Sequence, residues 1–304
     1  MMVLLTGGSG QLGRCLLDRM PSAWQVVAPS RHDLDISNAP AVHSVVQALR
    51  PALIINAAAY TGVDQAEDDV EAAYDINAHG AQNLAQAAAR VDAGMLHVST
   101  DYVFDGSADR PYTETDATEP LNIYGRSKLE GETAVLQALP QAVIVRSSWL
   151  FSEYGQNFVR TMLRLAANGV GQLRVVDDQL GFPTYGGDLA DVLIALASHM
   201  PNVAPGVYHY CGAGDETRPV SWCEFAQAVF NCAGQVSPSL QWPVLLPVSS
   251  SDYPTAATRP VFSALSCKKL ASVELGNGQG LSPLLHRTWR AALPRVVRQL
   301  LARR

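Results

Sequence analysis

The sequence predicts an α/β protein: a doubly wound parallel sheet followed by a smaller, mixed α/β unit toward the C-terminus. Three observations predict it. Short apolar runs alternate with helical patterns through the first 150 residues, a glycine-rich turn follows the first run at once, and the alternation loosens beyond about residue 151. A repeated β-α-β order closes as a parallel sheet with helices on both faces. The 304 residues are 48% hydrophobic and 16% charged, enough for a substantial core.

Val3, Leu4, Leu5 and Thr6 read as a short buried strand. It runs directly into Gly7, Gly10 and Gly13, spaced G-x-x-G-x-x-G, and then into a helix with apolar positions at Leu12, Leu16, Leu17 and Met20. Such glycines permit a tight turn and close approach of backbone to a pyrophosphate, and the helix start offers free N–H groups to phosphate. A bare glycine pattern is often only a flexible turn. A strand before it and a helix after it make this one a Rossmann-type dinucleotide site, with Gln11 and Leu12 beside the glycines.

The next strand, 25–28, leads to Ser30, Arg31, Asp35 and Ile36, where the adenosine end of the cofactor belongs. An acid about 20 positions past the glycines takes the ribose hydroxyl, whereas an Arg accommodates a 2′-phosphate. Arg31 speaks for NADPH and Asp35 for the adenine region, so NADPH and NADH both stand. The alternative is that Asp33 and Asp35 cap the helix starting near Asn38.

A crossover helix over 40–50 precedes the strand 53–56, which ends in the small residues Ala57, Ala58 and Ala59, followed by Thr61. Small side chains there let a flat cofactor lie against the backbone. Asp64, Glu67, Asp68 and Asp69 open a long helix, where acids suit the dipole. Asn77, in the middle of that helix, either reaches a neighbouring loop or faces solvent.

Residues 95–98 form a strand ending at Val98, so Ser99, Thr100 and Asp101 stand at its carboxyl edge, where α/β sheets bind ligands. Tyr124 and Lys128, four apart, share a helix face. A Lys cation beside a phenol favours the phenolate and lowers a pKa normally near 10. The Thr100 hydroxyl can bond the same carbonyl oxygen that Tyr124 protonates, giving an acid suited to ketone reduction. Tyr-x-x-x-Lys alone is a weak signal, because both residue types are common on solvated helix faces. Trp149 follows the strand 142–146, where it can pack on a sugar or base.

Beyond 151 the pattern predicts an amphipathic helix over 155–168, a strand over 173–176, a helix over 188–200, a strand over 206–210 and a helix over 221–232. Arg259 lies in a loop, and Arg is the natural partner of a diphosphate. The division that follows gives 1–150 and 171–203 to a dinucleotide-binding domain, and 151–170 with 204–304 to an interleaved substrate-binding domain.

Several classes are disfavoured. Net charge is −6, with no basic block beyond the terminal Arg303 and Arg304, so nucleic acid is not an expected partner. No run approaches the ~20 apolar residues of a membrane span, and the start lacks a basic region followed by an apolar one, which predicts a cytoplasmic protein. Five scattered cysteines read as free thiols, and seven histidines without a paired motif predict no catalytic metal.

The motifs together resemble the extended short-chain dehydrogenase/reductases, and within them the dTDP-4-dehydrorhamnose reductase family. The resemblance rests on Gly7, Gly10, Gln11 and Gly13; on Asn56 to Thr61 with Val63, Asp64, Ala66 and Glu67; on Ser99 to Phe104 with Gly106; and on Pro120 to Asn122 with Tyr124, Gly125 and Lys128. It continues through Arg146, Ser148, Trp149, Asn157, Phe158, the block Asp178, Gln179, Gly181, Pro183 and Thr184, and Arg259 with Pro260. The resemblance implies hydride delivery from NADPH or NADH to C4 of dTDP-4-dehydro-6-deoxy-L-mannose, giving dTDP-L-rhamnose for cell-surface polysaccharide. By it Tyr124 is the proton donor, Lys128 lowers the phenol pKa and holds the nicotinamide ribose, and Thr100 bonds the reacting oxygen. Asp101, Trp149 and Arg259 then contact the sugar nucleotide. Related dehydratases carry an acid pair after the Ser/Thr; here Asp101 is followed by Tyr102, which disfavours dehydration.

Some members of the family bridge two subunits through Mg²⁺ held by acidic side chains. The matching place on the first helix is Cys15, and no Glu stands near Gly186 and Gly187. Mg²⁺ is therefore disfavoured, leaving a monomer or a homodimer of another kind. Two alternatives stay open: a reductase of another nucleotide 4-keto-6-deoxy sugar, such as one giving the talose epimer, and a regulatory subunit resembling the β subunit of methionine adenosyltransferase.

Overall fold

The structure, a computed structural model, describes residues 1–214, 217–238, 241–274 and 280–302. Arg303 and Arg304 lie outside the described residues. Five strands come first: β1 (Met2–Thr6), β2 (Gln25–Val27), β3 (Leu53–Asn56), β4 (Gly94–Thr100) and β5 (Val143–Ser147). They alternate with α1 (Gln11–Leu17), α2 (Ala39–Leu49), α3 (Val70–Tyr74), α4 (Ala81–Arg90) and α5 (Ile123–Ala138). The second half holds β6 (Leu150–Phe151), α6 (Phe158–Ala167), β7 (Gln172–Val176), β8 (Leu180–Gly181), β9 (Thr184–Tyr185) and α7 (Gly186–Ser198). It continues with β10 (Gly206–Tyr210), β11 (Val220–Ser221), α8 (Trp222–Val236), β12 (Val244–Val248), α9 (Lys268–Ala271), α10 (Ser282–Leu285) and α11 (Trp289–Ala302).

Six strands make one sheet in the order β10-β5-β4-β3-β1-β2, and every pairing in it is parallel. The expected parallel α/β architecture is therefore the observed one. The strands are largely apolar because both sheet faces are covered. Val3, Leu5, Ile55, Leu96 and Val145 meet Leu12, Leu16, Leu189 and Leu193 of α1 and α7 on one face. Leu4, Ile54, Met95 and Ile144 meet Val42, Val46, Leu84 and Val135 of α2, α4 and α5 on the other. Full burial of each such side chain contributes about 1.5–3 kcal/mol. The chain leaves β1 in one direction to β2 and in the other to β3, so strand order reverses beside β1. The carboxyl ends of β1, β3 and β4 open onto that switch point, where such sheets bind ligands.

Two strands depart from the predicted division. Gly206–Tyr210, assigned above to the smaller unit, extends the main sheet by pairing with β5 along its whole length. Gln172–Val176, assigned to the larger unit, instead pairs in parallel with β12, away from the main sheet. A five-residue strand carries no information about its partner; β7 and β12 both pack on α8, which sets them apart from the main sheet. Helices α6, α8 and α11 build their own core around Phe225, Val229, Trp289 and Val296.

The long helix expected after Asp64 is broken into pieces. A short 3₁₀ turn (Gln65–Glu67) precedes α3, and a π-helical turn (Asp75–Gly80) joins α3 to α4. Asn77 sits in that π turn, a device that recurs near functional sites.

Candidate active site

Gly7 turns with φ +75°, and a Cβ built there would lie 2.5 Å from the Ala57 carbonyl carbon, so the β1 turn lies directly against the end of β3. A Cβ on Gly13 would approach the Gly7 carbonyl oxygen to 2.1 Å. Gly13 thus serves helix-to-turn packing and does not line the cavity, whereas Gly7, Gly10, Gln11 and Leu12 do. Gln11 ties the turn to the second half of the chain: its amide donates to the Leu150 carbonyl at 3.2 Å and accepts from Asn157 at 2.7 Å.

The cavity these residues open has a volume of about 820 Å³, within the range that small-molecule sites occupy. At one end stand Arg31, Asp35 and Ile36. Asp35 accepts from the Ser37 backbone and hydroxyl at 3.0 and 2.7 Å, which holds its carboxyl below the usual range. The helix cap is Asn38, whose side chain accepts from Ala41 N–H, so the capping alternative for Asp35 does not hold. Ser30 is exposed, bonded to Asp33 and off the cavity wall.

Ala58, Ala59 and Thr61 line the middle of the cavity. Asn77 fixes their loop. Its side chain accepts from Tyr60 N–H at 2.9 Å, donates to the Tyr60 carbonyl at 3.1 Å, and donates to the Ser127 hydroxyl at 3.0 Å. Beneath, buried Asn56 accepts from Thr6 and Ala58 and contacts His97 at 3.0 Å.

At the far end Val98, Thr100, Asp101, Tyr124 and Lys128 come together on the same wall, as the sequence predicts. Helix α5 is placed by three anchors. Asn122 caps it, accepting from Gly125 N–H at 2.8 Å and donating to the Thr258 carbonyl; the Lys128 ammonium donates to the Val98 carbonyl at 2.7 Å; and Glu132 clasps Arg146 of β5 in a buried pair at 2.6 and 2.8 Å. Burial brings the Lys128 ammonium down to about 8, with Glu132 opposing.

The phenol of Tyr124 corrects one expectation. Burial pushes it up to about 12, the Asp101 charge acts in the same direction, and only a hydrogen bond with Thr100 opposes them. Lys128 is not among the groups that shift it; its ammonium donates to the Val98 carbonyl. The phenol is thus protonated at neutral pH. Asp101 is buried at 3% exposure, its Oδ1 accepting from Thr100 Oγ1 at 3.0 Å. Burial lifts its carboxyl to about 7, with Ser263 and Thr100 pulling it back.

Trp149 lines the cavity with φ +45° and stacks on Trp222 at 3.5 Å, the rings within 4° of parallel. Trp222 and Phe158 complete this aromatic wall. Trp222 escaped the sequence reading; its position directly after the Ser221 cap of α8 was the available signal. Arg259 is not on the cavity wall. It pairs with Asp64 through both terminal nitrogens at 3.0 and 2.7 Å.

At the place where the resemblance puts Mg²⁺, the first helix presents Cys15, a soft sulfur donor where that hard cation takes oxygen. Cys15 is a buried thiol pushed up to about 12 by burial and by the Glu153 carboxylate, with Ser152 and the Arg19 guanidinium opposing; Tyr185, which donates to Glu153, is in turn bonded by Arg19 and Arg295. Among the described residues no three His, Cys, Asp or Glu side chains form a metal-binding group, and no helix is long and apolar enough to cross a membrane.

Residues 1–302 match the family described as the RmlD substrate binding domain. A dTDP-4-dehydrorhamnose reductase of Aggregatibacter actinomycetemcomitans is 46% identical over 274 residues, covering 88% of this chain and 91% of that one. The crystal structure of a dTDP-4-dehydrorhamnose reductase from Clostridium acetobutylicum superposes with TM-score 0.87 at 36% identity, covering 99% and 100% of the two chains. One from Bacillus anthracis, in complex with NADP, gives TM-score 0.85 at 38% identity over 97% and 98%. The chain belongs to the dTDP-4-dehydrorhamnose reductase family.

Proposed function

We propose that the protein reduces the C4 keto group of dTDP-4-dehydro-6-deoxy-L-mannose to dTDP-L-rhamnose with NADPH or NADH. The observation that carries this reading is the convergence of Thr100, Tyr124 and Lys128 at one end of the cavity that begins at the Gly7 turn. A reduced nicotinamide cofactor supplies the hydride. The small loop at Ala58 and Ala59 gives it a flat bed, and Arg31 on the cavity wall supplies a cation suited to a 2′-phosphate.

Tyr124 hands its proton to the forming alkoxide. A phenol held near 12 is a weak acid against water but is matched to an alkoxide, and its donor is in place before charge develops. Lys128 has two protons left after its bond to Val98, one for a ribose hydroxyl and one for the phenol oxygen as it ionises. Thr100 has one proton, which the resting structure gives to Asp101. A protonated Asp101 can instead donate to Thr100 and release the Thr100 proton to the substrate oxygen. Trp149 and Trp222 form an apolar wall for the sugar nucleotide. Arg259 reaches a diphosphate only by exchanging its Asp64 partner, which makes it a closing contact. The smaller unit, built on α6, α8 and α11, carries the substrate side.

The protein acts in the cytoplasm on this reading, as a monomer or homodimer, with no nucleic-acid partner. The test follows NAD(P)H absorbance after addition of dTDP-4-dehydro-6-deoxy-L-mannose made in situ, with product identity by NMR. Cofactor oxidation with dTDP-L-rhamnose as product supports the proposal. A talose product moves the protein to the sister activity, and binding without oxidation points to another keto sugar or to a regulatory subunit.

A further inference from the structure

Cys211 directly follows β10, and Cys267 directly precedes α9. Far apart in sequence, their Sγ atoms lie 3.7 Å apart, and neither lines the cavity. Cys211 N–H donates to Cys267 Sγ at 3.3 Å, and the Cys211 thiol lies 3.3 Å from the Leu265 carbonyl. Cys211 is buried and Cys267 partly exposed. A disulfide needs sulfurs at about 2.05 Å, so closure asks for roughly 1.7 Å of approach between side chains already in contact.

We propose that Cys211 and Cys267 are a redox-active pair that closes to an intramolecular disulfide when a low-molecular-weight disulfide such as oxidised glutathione is offered. The asymmetry of the pair sets the order of events. Donation from Cys211 favours the thiolate on Cys267, whereas that same bond, and then burial, hold the Cys211 thiol well above its ordinary value. Cys267, the less buried residue of the two, attacks one glutathione sulfur; the glutathione S–S bond breaks and one glutathione thiolate leaves. Cys211 passes its proton to that thiolate, and its sulfur then attacks Cys267, releasing the second glutathione as a thiolate that takes from water the proton Cys267 gave up on ionising. Two protein thiols are oxidised and one oxidised glutathione becomes two reduced molecules.

The pair lies behind the site rather than in it. Cys211 shares an apolar cluster with Val103, Phe104, Phe182 and Leu265. Val103 and Phe104 continue the turn that begins at Asp101, and Ser263 of the Cys267 segment acts on the Asp101 carboxyl. The bridge ties the end of the sheet to the segment backing Asp101.

Folded protein would be incubated with oxidised glutathione, its remaining thiols alkylated, and the chain digested without reductant and mapped by mass spectrometry. The expected product joins the Cys211 and Cys267 peptides, and dithiothreitol separates them. Recovery of both as separate alkylated peptides while the partly exposed Cys223 or Cys232 has taken up glutathione overturns the proposal; so does a link from either to another cysteine. In Cys211→Ser the reaction should stop with glutathione on Cys267, and a folded variant that leaves Cys267 unmodified also overturns it. Should that variant fail to fold, the wild-type map decides alone.

Discussion

Replacing Asp101 by Asn should make the protein more stable at neutral pH. The carboxyl moves from 3.8 to about 7 on folding because burial disfavours its charge. At about 1.4 kcal/mol per pH unit, that rise corresponds to about 4 kcal/mol withheld from folding once the group is ionised. The sign follows from proton counting. Between pH 3.8 and about 7 the folded state holds the proton and the unfolded state has lost it, so stability falls as pH rises through that window. Asn keeps an acceptor for Thr100 and never ionises. The wild-type deficit should therefore be small near pH 4, grow at up to about 1.4 kcal/mol per pH unit, and level off above pH 7. Urea unfolding of both proteins from pH 4 to 8.5 measures it. Glu114 and Asp188 are also raised by burial, but they are common to both proteins and cancel in the difference. A difference without pH slope between 5 and 7, or a variant less stable above pH 7, would refute the burial argument. Turnover supplies a second check, since ionised Asp101 keeps the Thr100 proton: the wild-type rate should fall above about pH 7, and this fall should be missing from Asp101→Asn.

Three further outcomes are expected. Tyr124→Phe should lower turnover by about 10²–10⁴ while cofactor affinity, read by fluorescence titration, stays nearly unchanged; unaltered turnover would remove Tyr124 as the acid. Lys128→Ala should weaken both turnover and cofactor binding and strand the Val98 carbonyl, so normal affinity in the same titration would count against its double task. Gly13→Ala should cost about 1–3 kcal/mol in urea unfolding, because its methyl meets the Gly7 carbonyl oxygen at 2.1 Å, and should weaken cofactor binding by displacing the turn.

What could be read from the sequence was what local spacing decides. The first strand, the glycine turn and α1 are contiguous, and Tyr124 and Lys128 share a face by helical arithmetic alone. The direction of the Tyr124 shift was not readable, because it depends on burial and on Asp101, 23 positions earlier in the chain and joined to it only by the fold. The partner of Arg259 is hidden for the same reason: Asp64 is as plausible a helix-start acid as its neighbours until the C-terminal segment folds over it. Residues 172–176 alternate cleanly, yet alternation names a face and not a neighbour. Asn77 could be placed on a helix but not in a π turn, since the extra residue per turn leaves no compositional trace.

The geometry of Tyr124, the proposed acid, rests on one strand. Val98 gives its carbonyl to Lys128, and Thr100, two residues on, faces Tyr124, so strand β4 holds both ends of the Tyr124–Lys128 helical turn. Residues two apart on a strand point to the same side, about 6.5–7 Å apart, whereas four on a helix span about 6 Å. The two repeats nearly match, and that match keeps the phenol over Thr100 while the ammonium stays on the backbone. Glu132 carries the same helix face one turn further and locks it to Arg146 on β5, the next strand of the sheet. Helix α5 cannot slide by a turn without breaking the Lys128 bond and leaving a buried guanidinium unpaired, a loss of about 3–5 kcal/mol for the ion pair alone. The register of the proposed catalytic wall is thus held in part by Glu132 and Arg146, which do not line the cavity, and a Glu132→Gln variant should blunt turnover through Tyr124 placement before it affects the glycine turn.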